Sequence, residues 1–304
     1  MTKKPKIATL VISSDTYPAT RNSKAQKKIF FKEGFEKNLT FWYKGNNSNK
    51  NRIDTYQISD NNLIIETSDA TINMGLKTIL ALEWLEKYID YEYIVRPTPS
   101  SYINYENLNN FIIQNLSKEE YVYCGNIQST NNKYGEKINF VSGSTLILNK
   151  NTVKQIINNK DKWDHEYWDD VALSILMKEL NIEPQSSKRY DVEGNPFKNN
   201  ISLDFYQYRC RCDNHYGYPR FLESISMTVV HKILFLKKIS MFEKLITNIL
   251  FELSKLLYIY QFGWKTYSLL RNIAKYLLPK KIYIFIKNRF EKKIEHFKNV
   301  RFKF

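Results

Sequence analysis

Residues Tyr93–Leu108 read YIVRPTPSSYINYENL, and the interpretation of the whole chain starts from this stretch. Its first residues, Tyr93–Val95, are typical of a short buried strand, and the prolines that follow predict a rigid loop over Arg96–Ser101. In an α/β protein, a loop at the carboxyl end of a strand is where substrates bind. No carboxylate occurs from Arg96 to Tyr105. The stretch therefore predicts a binding loop without acidic metal ligands.

Strands alternate with helices on both sides of this loop. Lys6–Ser13 predicts a first buried strand, and Asn73–Tyr88 predicts an amphipathic helix because Leu76, Ile79 and Leu82 recur at helical intervals. The pattern predicts further strands at Leu39–Tyr43, Tyr121–Ile127 and Ile138–Leu148. It predicts further helices at Lys24–Phe35, Tyr105–Asn115, Lys150–Asn158 and Asp170–Leu180. Such an alternation predicts an α/β sheet flanked by helices. We expect residues 188–200 to be irregular, and Ser142-Gly143-Ser144 to interrupt its strand.

Charge divides the chain into two parts. The 304 residues carry a net charge of +15, and residues 231–304 hold 17 Lys/Arg against 4 Glu. Most of the excess charge is therefore in the last quarter, and the preceding part is nearly neutral. We predict a globular domain over residues 1–225 and a basic, amphipathic helical region over residues 226–304.

The basic region interleaves lysines with leucine, isoleucine and phenylalanine. This pattern favours amphipathic helices that lie on an anionic membrane surface. Two alternatives stay open: a helical appendage that packs on the domain or in an oligomer, and binding to nucleic acid, for which no recognised module is present.

No charge-free apolar run approaches the roughly 18–20 residues of a spanning helix, and Ile7–Ile12 is too short for the apolar part of a signal peptide. The three cysteines, Cys124, Cys210 and Cys212, form no disulfide framework. We therefore expect a cytoplasmic protein, peripheral on a membrane, with neither a signal peptide nor a transmembrane helix.

Two clusters of residues could carry chemistry. Trp168-Asp169-Asp170 opens a predicted helix, where a carboxylate either caps the helix or acts as a general base toward an attacking hydroxyl. Both are possible if Asp169 caps and Asp170 points into the cleft. In the polar loop after the first strand, Arg21 could pair with phosphate oxygens; the alternative is a solvated loop.

The sequence offers little support for a metal site. The four histidines lack the spacing of metal ligands, and Cys210-Arg211-Cys212 has no second cysteine pair. There is also no glycine-rich phosphate loop and no nucleophile elbow.

In their order, several segments resemble the beta-1,3-galactosyltransferase/fringe family. They are KIATLVISSDTYPATR, NMGLKTILALEW, FVSGSTLILN and WDDVALSIL, together with the loop quoted first. The resemblance spans roughly residues 6–182. It implies a GT-A-type fold, with a mixed, mostly parallel sheet, and inverting transfer of a hexose from a nucleotide sugar. The implied donor is a UDP-sugar, and the implied acceptor is a glycan. The basic region predicted to lie on a membrane favours a lipid-linked glycan as the acceptor.

The same resemblance implies a role for each matching residue. Asp170 matches the family's general base. Donor binding falls to Ser13, Arg21, Arg96, Thr98 and Ser100, and acceptor binding to Ser142, Gly143, Trp168 and Asp169. Where the family carries Asp-Asp-Asp, this chain has Thr98-Pro99-Ser100. Because these residues do not neutralise Mn²⁺ or Mg²⁺ as carboxylates do, we expect no metal ligand there, and Arg96, Arg21 or a lysine to supply the positive charge.

Two other classes of function remain as alternatives. The first is a binding protein with a degenerate glycosyltransferase fold, which the loss of the acidic cluster favours. The second is a basic protein that binds membranes or nucleic acid and uses the domain only as a scaffold.

Overall fold

The computed structural model describes residues 4–46, 56–131, 135–212, 218–236 and 239–261. It divides the chain into two compact units, Met1–Phe251 and Glu252–Phe304. The description below concerns the first unit. The helix breaks expected at Gly263 and Pro279 lie outside the described residues.

The strands follow one another along most of the first unit. In chain order they are β1 Ile7–Ile12, β2 Thr40–Gly45, β3 Tyr56–Ser59, β4 Asn62–Ile65, β5 Tyr93–Pro97, β6 Ser101–Ile103, β7 Tyr123–Asn131, β8 Lys137–Asn149, β9 Gln185–Ser186, β10 Tyr190–Glu193 and β11 Gln207–Arg211.

The helices separate these strands or follow them. They are α1 Ala19–Glu33, α2 Met74–Tyr88, α3 Tyr105–Asn115, α4 Lys150–Asn158, α5 Asp169–Glu179, α6 Glu223–His231 and α7 Met241–Gln261.

Local sequence explains several helix ends. Gly34 adopts a left-handed conformation with φ 98°, and its N–H reaches the Phe30 carbonyl, so α1 ends there. Asn104 and Asn149 cap α3 and α4, because the side chain of each accepts a hydrogen bond from the backbone N–H three residues later.

The main sheet has the order β3-β4-β2-β1-β5-β8-β7-β9. Strands β4, β2, β1 and β5 run parallel, while β8 runs antiparallel to both β5 and β7. The chain goes from β1 outward to β2 and β4 and then returns, through α2, to the other side of β1. The strand order therefore reverses between β1 and β5, and a crevice forms at their carboxyl ends.

Two apolar layers cover this sheet. Because successive strand residues point to opposite faces, Ala8, Leu10 and Ile12 join the cluster that contains α2 and α5. Ile7 and Val11 join the cluster on the other face, with α1, α3 and the strands β6, β10 and β11. Both layers are continuous and buried, so the crevice is built on a rigid base.

The predicted α/β class, with a mostly parallel sheet flanked by helices, is confirmed. The prediction missed the three-stranded sheet β10-β11-β6. The expectation that residues 188–200 are irregular is wrong for Tyr190–Glu193, because β10 pairs in parallel with β11. These strands are short and gain their stability from pairing with distant residues, which leaves a weak local signal.

The last described helices agree with a helical C-terminal region. The boundary predicted between residues 225 and 226 stays a prediction. Among the described residues, no helix is both long and apolar enough to span a bilayer.

Candidate functional site

The candidate site lies where the loops leave the carboxyl ends of β1 and β5. The segment after β5 is Thr98–Ser100, and the segment after β1 leads through Ser13 to α1. The amino end of α5 and the middle of β8 adjoin the end of β5, because β8 is the next strand of the sheet. The geometry brings the predicted residues Arg96, Gly143 and Asp170 into one group.

Asp170 is the half-buried carboxylate of this group. Its Oδ2 accepts a hydrogen bond from the Gly143 N–H at 2.9 Å, and its Oδ1 accepts one from the Val171 N–H at 3.0 Å. A Cβ at position 143 would lie 3.2 Å from Asp170 Oδ2. Glycine therefore lets the β8 backbone approach the carboxylate closely enough to hold it.

The surroundings of Asp170 favour its protonated form. Burial is the main cause of a raised pKa, and the charge of Asp169 raises it further, while the Gly143 N–H and Arg96 act in the opposite direction. A carboxylate with a raised pKa is a better proton acceptor than an ordinary surface Asp, provided that it is ionised at the working pH.

Arg96 and Asp169 form a buried ion pair behind Asp170. Arg96 is 3% exposed and Asp169 6%, and a guanidinium Nη2 donates to Asp169 Oδ2. Arg96 Nε donates to the Tyr43 hydroxyl at 2.7 Å. Burial alone would lower the pKa of Arg96, but the Asp169 charge and Tyr43 more than offset this and raise it.

The structure does not show the helix-capping role expected of Asp169, and it shows that the charge of Arg96 is already paired. Asp169 does not cap α5, because the capping position is Trp168, which makes no side-chain capping bond. Arg96 is directed into the layer between β5, α2 and α5, and its charge is paired with Asp169. Both residues support the site from below, and their donor-binding and acceptor-binding roles stay predictions.

The acid-free loop is held by hydrogen bonds. Gln26 on α1 donates to the carbonyls of Thr98 and Ser101 at 3.0 and 2.8 Å. The Thr98 N–H and the Ser101 hydroxyl both donate to the Ser144 carbonyl, at 3.1 and 2.6 Å. The Thr98 hydroxyl lies 3.4 Å from that of Ser100. Scaffold residues therefore fix the backbone of this loop.

These residues do not fit a divalent cation. Around Thr98 and Ser100, the oxygen atoms that could bind a cation belong to neutral hydroxyls and backbone carbonyls. The carbonyls of Thr98 and Ser101 already accept hydrogen bonds from Gln26, and the carbonyl of Ser144 accepts one from the Thr98 N–H. Within the part of the chain that the structure describes, no group of three or more His, Cys, Asp or Glu residues could hold a metal. A hard cation needs carboxylate oxygens that this loop lacks.

Ser13 and Arg21 follow β1, and their side chains bond to residues of α1 and α6. The Ser13 hydroxyl is 2.9 Å from that of Ser23 on α1. Arg21 Nε donates to the Ser224 hydroxyl at 3.0 Å, and the guanidinium lies over the Phe221 ring. Arg21 is exposed and forms no ion pair with the described residues. It is thus the predicted donor-site cation whose charge is not already paired.

A buried ion pair fixes the loops on the other side of β1. Lys77 Nζ lies 2.7 Å from Asp69 Oδ1, and both side chains are buried. The same oxygen accepts the Gly45 N–H at 3.0 Å, and Asp69 Oδ2 accepts the Asp15 N–H at 3.2 Å. Asp69 therefore ties the ends of β1 and β2 together.

Trp168 and Ser142 differ in accessibility. Trp168 is 64% exposed, next to the acidic pair, and a sugar ring could stack on it. Ser142 is buried, and its hydroxyl accepts a hydrogen bond from Arg189 Nη1 at 3.1 Å. Sequence reasoning missed Arg189, because no motif marks it and the contact spans 47 residues.

A sequence model of the family described as galactosyltransferase matches residues 53–188. The match includes the acid-free loop, the Ser-Gly-Ser segment and the acidic pair. No curated protein matches the chain.

Three solved structures illustrate the weak structural similarity. A glycosyltransferase involved in the glycosylation of the major capsid of PBCV-1 is 11% identical, with a TM-score of 0.43 over 73% of this chain and 99% of that one. The glycosyltransferase GlyE of Streptococcus pneumoniae TIGR4 is 11% identical, with a TM-score of 0.40 over 76% and 64%. The galactosyltransferase LgtC, in complex with donor and acceptor sugar analogs, is 10% identical, with a TM-score of 0.41 over 77% and 98%. We draw no functional conclusion from similarity at this level.

The family match and the α/β sheet agree with the order of segments seen in the sequence. Residues 53–188, a little under half of the chain, are thus similar to a galactosyltransferase family, and this match supports a galactosyltransferase-like family of glycosyltransferases.

Proposed function

We propose that the protein transfers a hexose, of the galactose or N-acetylhexosamine type, from a UDP-sugar to a hydroxyl of a glycan or glycolipid, with inversion. The observation that carries this proposal is the Asp170 carboxylate. It is held by the Gly143 N–H within the family-matched region and has a raised pKa. A base of this kind is the one protein group that inverting transfer requires.

The proposed reaction is a single displacement. Asp170 accepts the proton of the acceptor hydroxyl while that oxygen attacks the anomeric carbon from the face opposite the leaving group. The bond from the anomeric carbon to the diphosphate oxygen breaks, and its electron pair leaves with the nucleoside diphosphate. Catalysis then depends on the positioning of both substrates and on stabilisation of the leaving group. Trp168 would stack on the acceptor sugar.

We propose that the donor diphosphate is bound without a divalent cation at the acid-free loop. Thr98 and Ser100 offer hydroxyl groups there, and Arg21 is an exposed guanidinium whose only hydrogen bond among the described residues goes to Ser224. An unpaired guanidinium can bind phosphate oxygens in a fork. The paired cations Arg96 and Lys77 do not offer this, because each already faces an aspartate.

Substitution of Asp170 tests the reaction. A panel of nucleotide sugars is screened for hydrolysis and for transfer with the full chain, and the best donor is then assayed with Asp170→Asn. We expect donor affinity to persist while turnover falls by at least about 100-fold. Turnover near the wild-type rate would remove Asp170 from its proposed role.

Donor titration with Mn²⁺ and with EDTA tests the metal proposal and the main alternative. We expect the same donor affinity in both conditions and a large loss with Arg21→Gln. Strict dependence on Mn²⁺ would refute the metal-free site. A failure to bind any nucleotide sugar would favour the alternative of a degenerate binding protein, which the missing acidic cluster supports.

We further propose that the enzyme is peripheral on an anionic membrane surface. On the part of α7 that belongs to the first unit, five apolar side chains are exposed: Met241, Phe242, Leu245, Ile246 and Ile249. On α1, exposed lysines recur on one face, at Lys24, Lys28 and Lys32, and these line a common groove of about 650 Å³ with Phe242 and Ile246. Apolar side chains next to exposed lysines match a lipid interface.

Vesicle co-sedimentation tests this association. With vesicles rich in phosphatidylglycerol, the Lys24→Glu/Lys28→Glu/Lys32→Glu variant should bind roughly 100-fold more weakly, since each lysine contributes about 1 kcal/mol near such a surface. A matched variant with glutamate at the exposed Lys118, Lys137 and Lys178 should bind like the wild type. Equal binding by both variants would refute a role for the α1 face.

A further inference from the structure

Arg189 lies beneath the Ser142-Gly143-Ser144 segment, one residue beyond the family match. Its Nη1 donates to the Ser142 hydroxyl at 3.1 Å and to the Ser144 hydroxyl at 2.9 Å. Its Nη2 donates to Asp191 Oδ2 at 2.9 Å. The Arg189 side chain is only 7% exposed, so these bonds form in a largely dry environment, where they are stronger than at the surface.

The segment that Arg189 holds is a bulge in the sheet. Gly125 of β7 pairs with Leu146, but Ile127 pairs with Val141, so the four residues 142–145 of β8 face one residue of β7. A regular ladder would use the backbone N–H groups of these residues within the sheet. The bulge leaves the Gly143 N–H to hold Asp170 instead.

The bulge is bonded to the Thr98 N–H and the Ser101 hydroxyl through the Ser144 carbonyl, but it lacks ladder bonds to β7, so it needs further restraints on that side. Ser142 donates to Ser144 at 3.2 Å, and Gln207 donates to the Ser144 hydroxyl at 3.0 Å. Arg189 is the group that contacts both serines, one on each side of Gly143. Its position therefore contributes to where the Gly143 N–H points.

We propose that Arg189 is a positioning residue that fixes the Asp170 carboxylate by clamping the two serines that flank Gly143. The importance of this clamp for catalysis rests on the proposed function, whereas its effect on Asp170 itself does not. No motif or family feature quoted above assigns a role to Arg189.

The clamp works through geometry more than through charge. Asp191 pairs with the Arg189 guanidinium and offsets its positive charge. The titratable and charged groups that face Asp170 are Asp169 on its own helix, Arg96 on β5 and Tyr123 on β7. Loss of Arg189 leaves these three in place and loosens the Gly143 N–H. Because that N–H lowers the pKa of Asp170, its loss raises the pKa.

The test follows Asp170 directly, in the full-length protein labelled with ¹³C at aspartate carboxyl groups. The Asp170 signal is assigned with Asp170→Asn and titrated in the wild type, Arg189→Gln, Arg189→Lys and Ser142→Ala/Ser144→Ala. We expect the Asp170 titration to move to higher pH in all three clamp variants. Arg189→Lys is included because lysine keeps the positive charge but lacks the planar guanidinium that contacts both serines and Asp191. The serine variant removes little volume, so it keeps the test valid if an Arg189 variant does not fold.

Turnover of the best nucleotide sugar provides the second readout. The acid limb of the kcat profile should move upward with the Asp170 titration, and kcat at neutral pH should fall by about 10- to 100-fold, as expected for a reacting group displaced by a fraction of an ångström to about one ångström. KM for the donor should change little.

The outcomes separate this inference from the proposed function. An unchanged Asp170 titration in both the Arg189→Gln and the serine variants refutes the clamp. A shifted titration without any change in the kcat profile supports the clamp and refutes the role of Asp170 as the base. If Arg189→Lys shows the wild-type Asp170 titration and the wild-type pH profile of kcat, the positive charge of Arg189 is sufficient. That result would also overturn the proposed clamp, which requires the guanidinium geometry.

Discussion

Removal of the Arg96 guanidinium should destabilise the protein strongly, because it leaves a buried carboxylate without its partner. Both members of the Arg96–Asp169 pair are more than nine-tenths buried. Breaking such a pair by removing one partner typically costs about 3–5 kcal/mol. We therefore expect Arg96→Met to lower the free energy of unfolding by about this amount. For a folded unit of this size, the loss corresponds to a decrease in Tm of about 6–20 °C.

The second substitution, Asp169→Asn, identifies the source of this loss. Asp169→Asn alone should also destabilise, since it leaves the Arg96 charge buried and unpaired. The double variant should be less destabilised than the sum of the two single variants, by an interaction energy of about 2–3 kcal/mol. The assay is denaturant unfolding followed by tryptophan fluorescence, with Tm as an independent measure.

A surface pair provides the control for this cycle. Lys160 and Glu83 form an ion pair at 2.6 Å with about half of the Lys160 side chain exposed. Lys160→Met should change stability little, because solvent screens such pairs. Strictly additive losses in the Arg96→Met/Asp169→Asn variant would refute the reasoning, since they would mean that the two charges do not depend on each other.

Three further predictions concern the acidic end of α5. Asp170→Asn should raise Tm at pH 7. The pKa of Asp170 is higher in the folded state than in the unfolded state, so its ionisation destabilises the folded state. The increase in Tm should therefore disappear as the pH falls below the ordinary carboxyl pKa of 3.8. A Tm equal to that of the wild type throughout would contradict a raised pKa. Gly143→Ala places a Cβ 3.2 Å from Asp170 Oδ2. If this contact displaces the carboxylate by about 0.3 Å, kcat should fall by about 4-fold. An unchanged kcat in steady-state assays would contradict the close approach of Gly143 to Asp170. Trp168→Ala should raise KM for the acceptor by about 10-fold without any loss of stability, measured by acceptor titration and by Tm.

The sequence determined those parts of the fold that depend on local periodicity. The buried first strand, the amphipathic helix Met74–Tyr88 and the helix Tyr105–Asn115 follow from patterns of apolar residues and from capping residues such as Asn104. The order of short motifs was sufficient to recognise a galactosyltransferase-like family. The acid-free loop was also visible, because it is a property of consecutive residues.

Tertiary structure decided how the charges of the site are distributed. Arg96 was expected to face a donor phosphate, but the alternation of β5 directs it between two helices, where Asp169 neutralises it. Arg189 could not be found from the sequence, since it is joined to Ser142 and Ser144 only when β9 and β8 fold into one sheet. Ion pairs and bulges between distant segments leave little periodic signal in a single sequence. The residues that could act in the proposed chemistry were thus readable from the chain, whereas their partners, and hence their charge and position, were set by the fold.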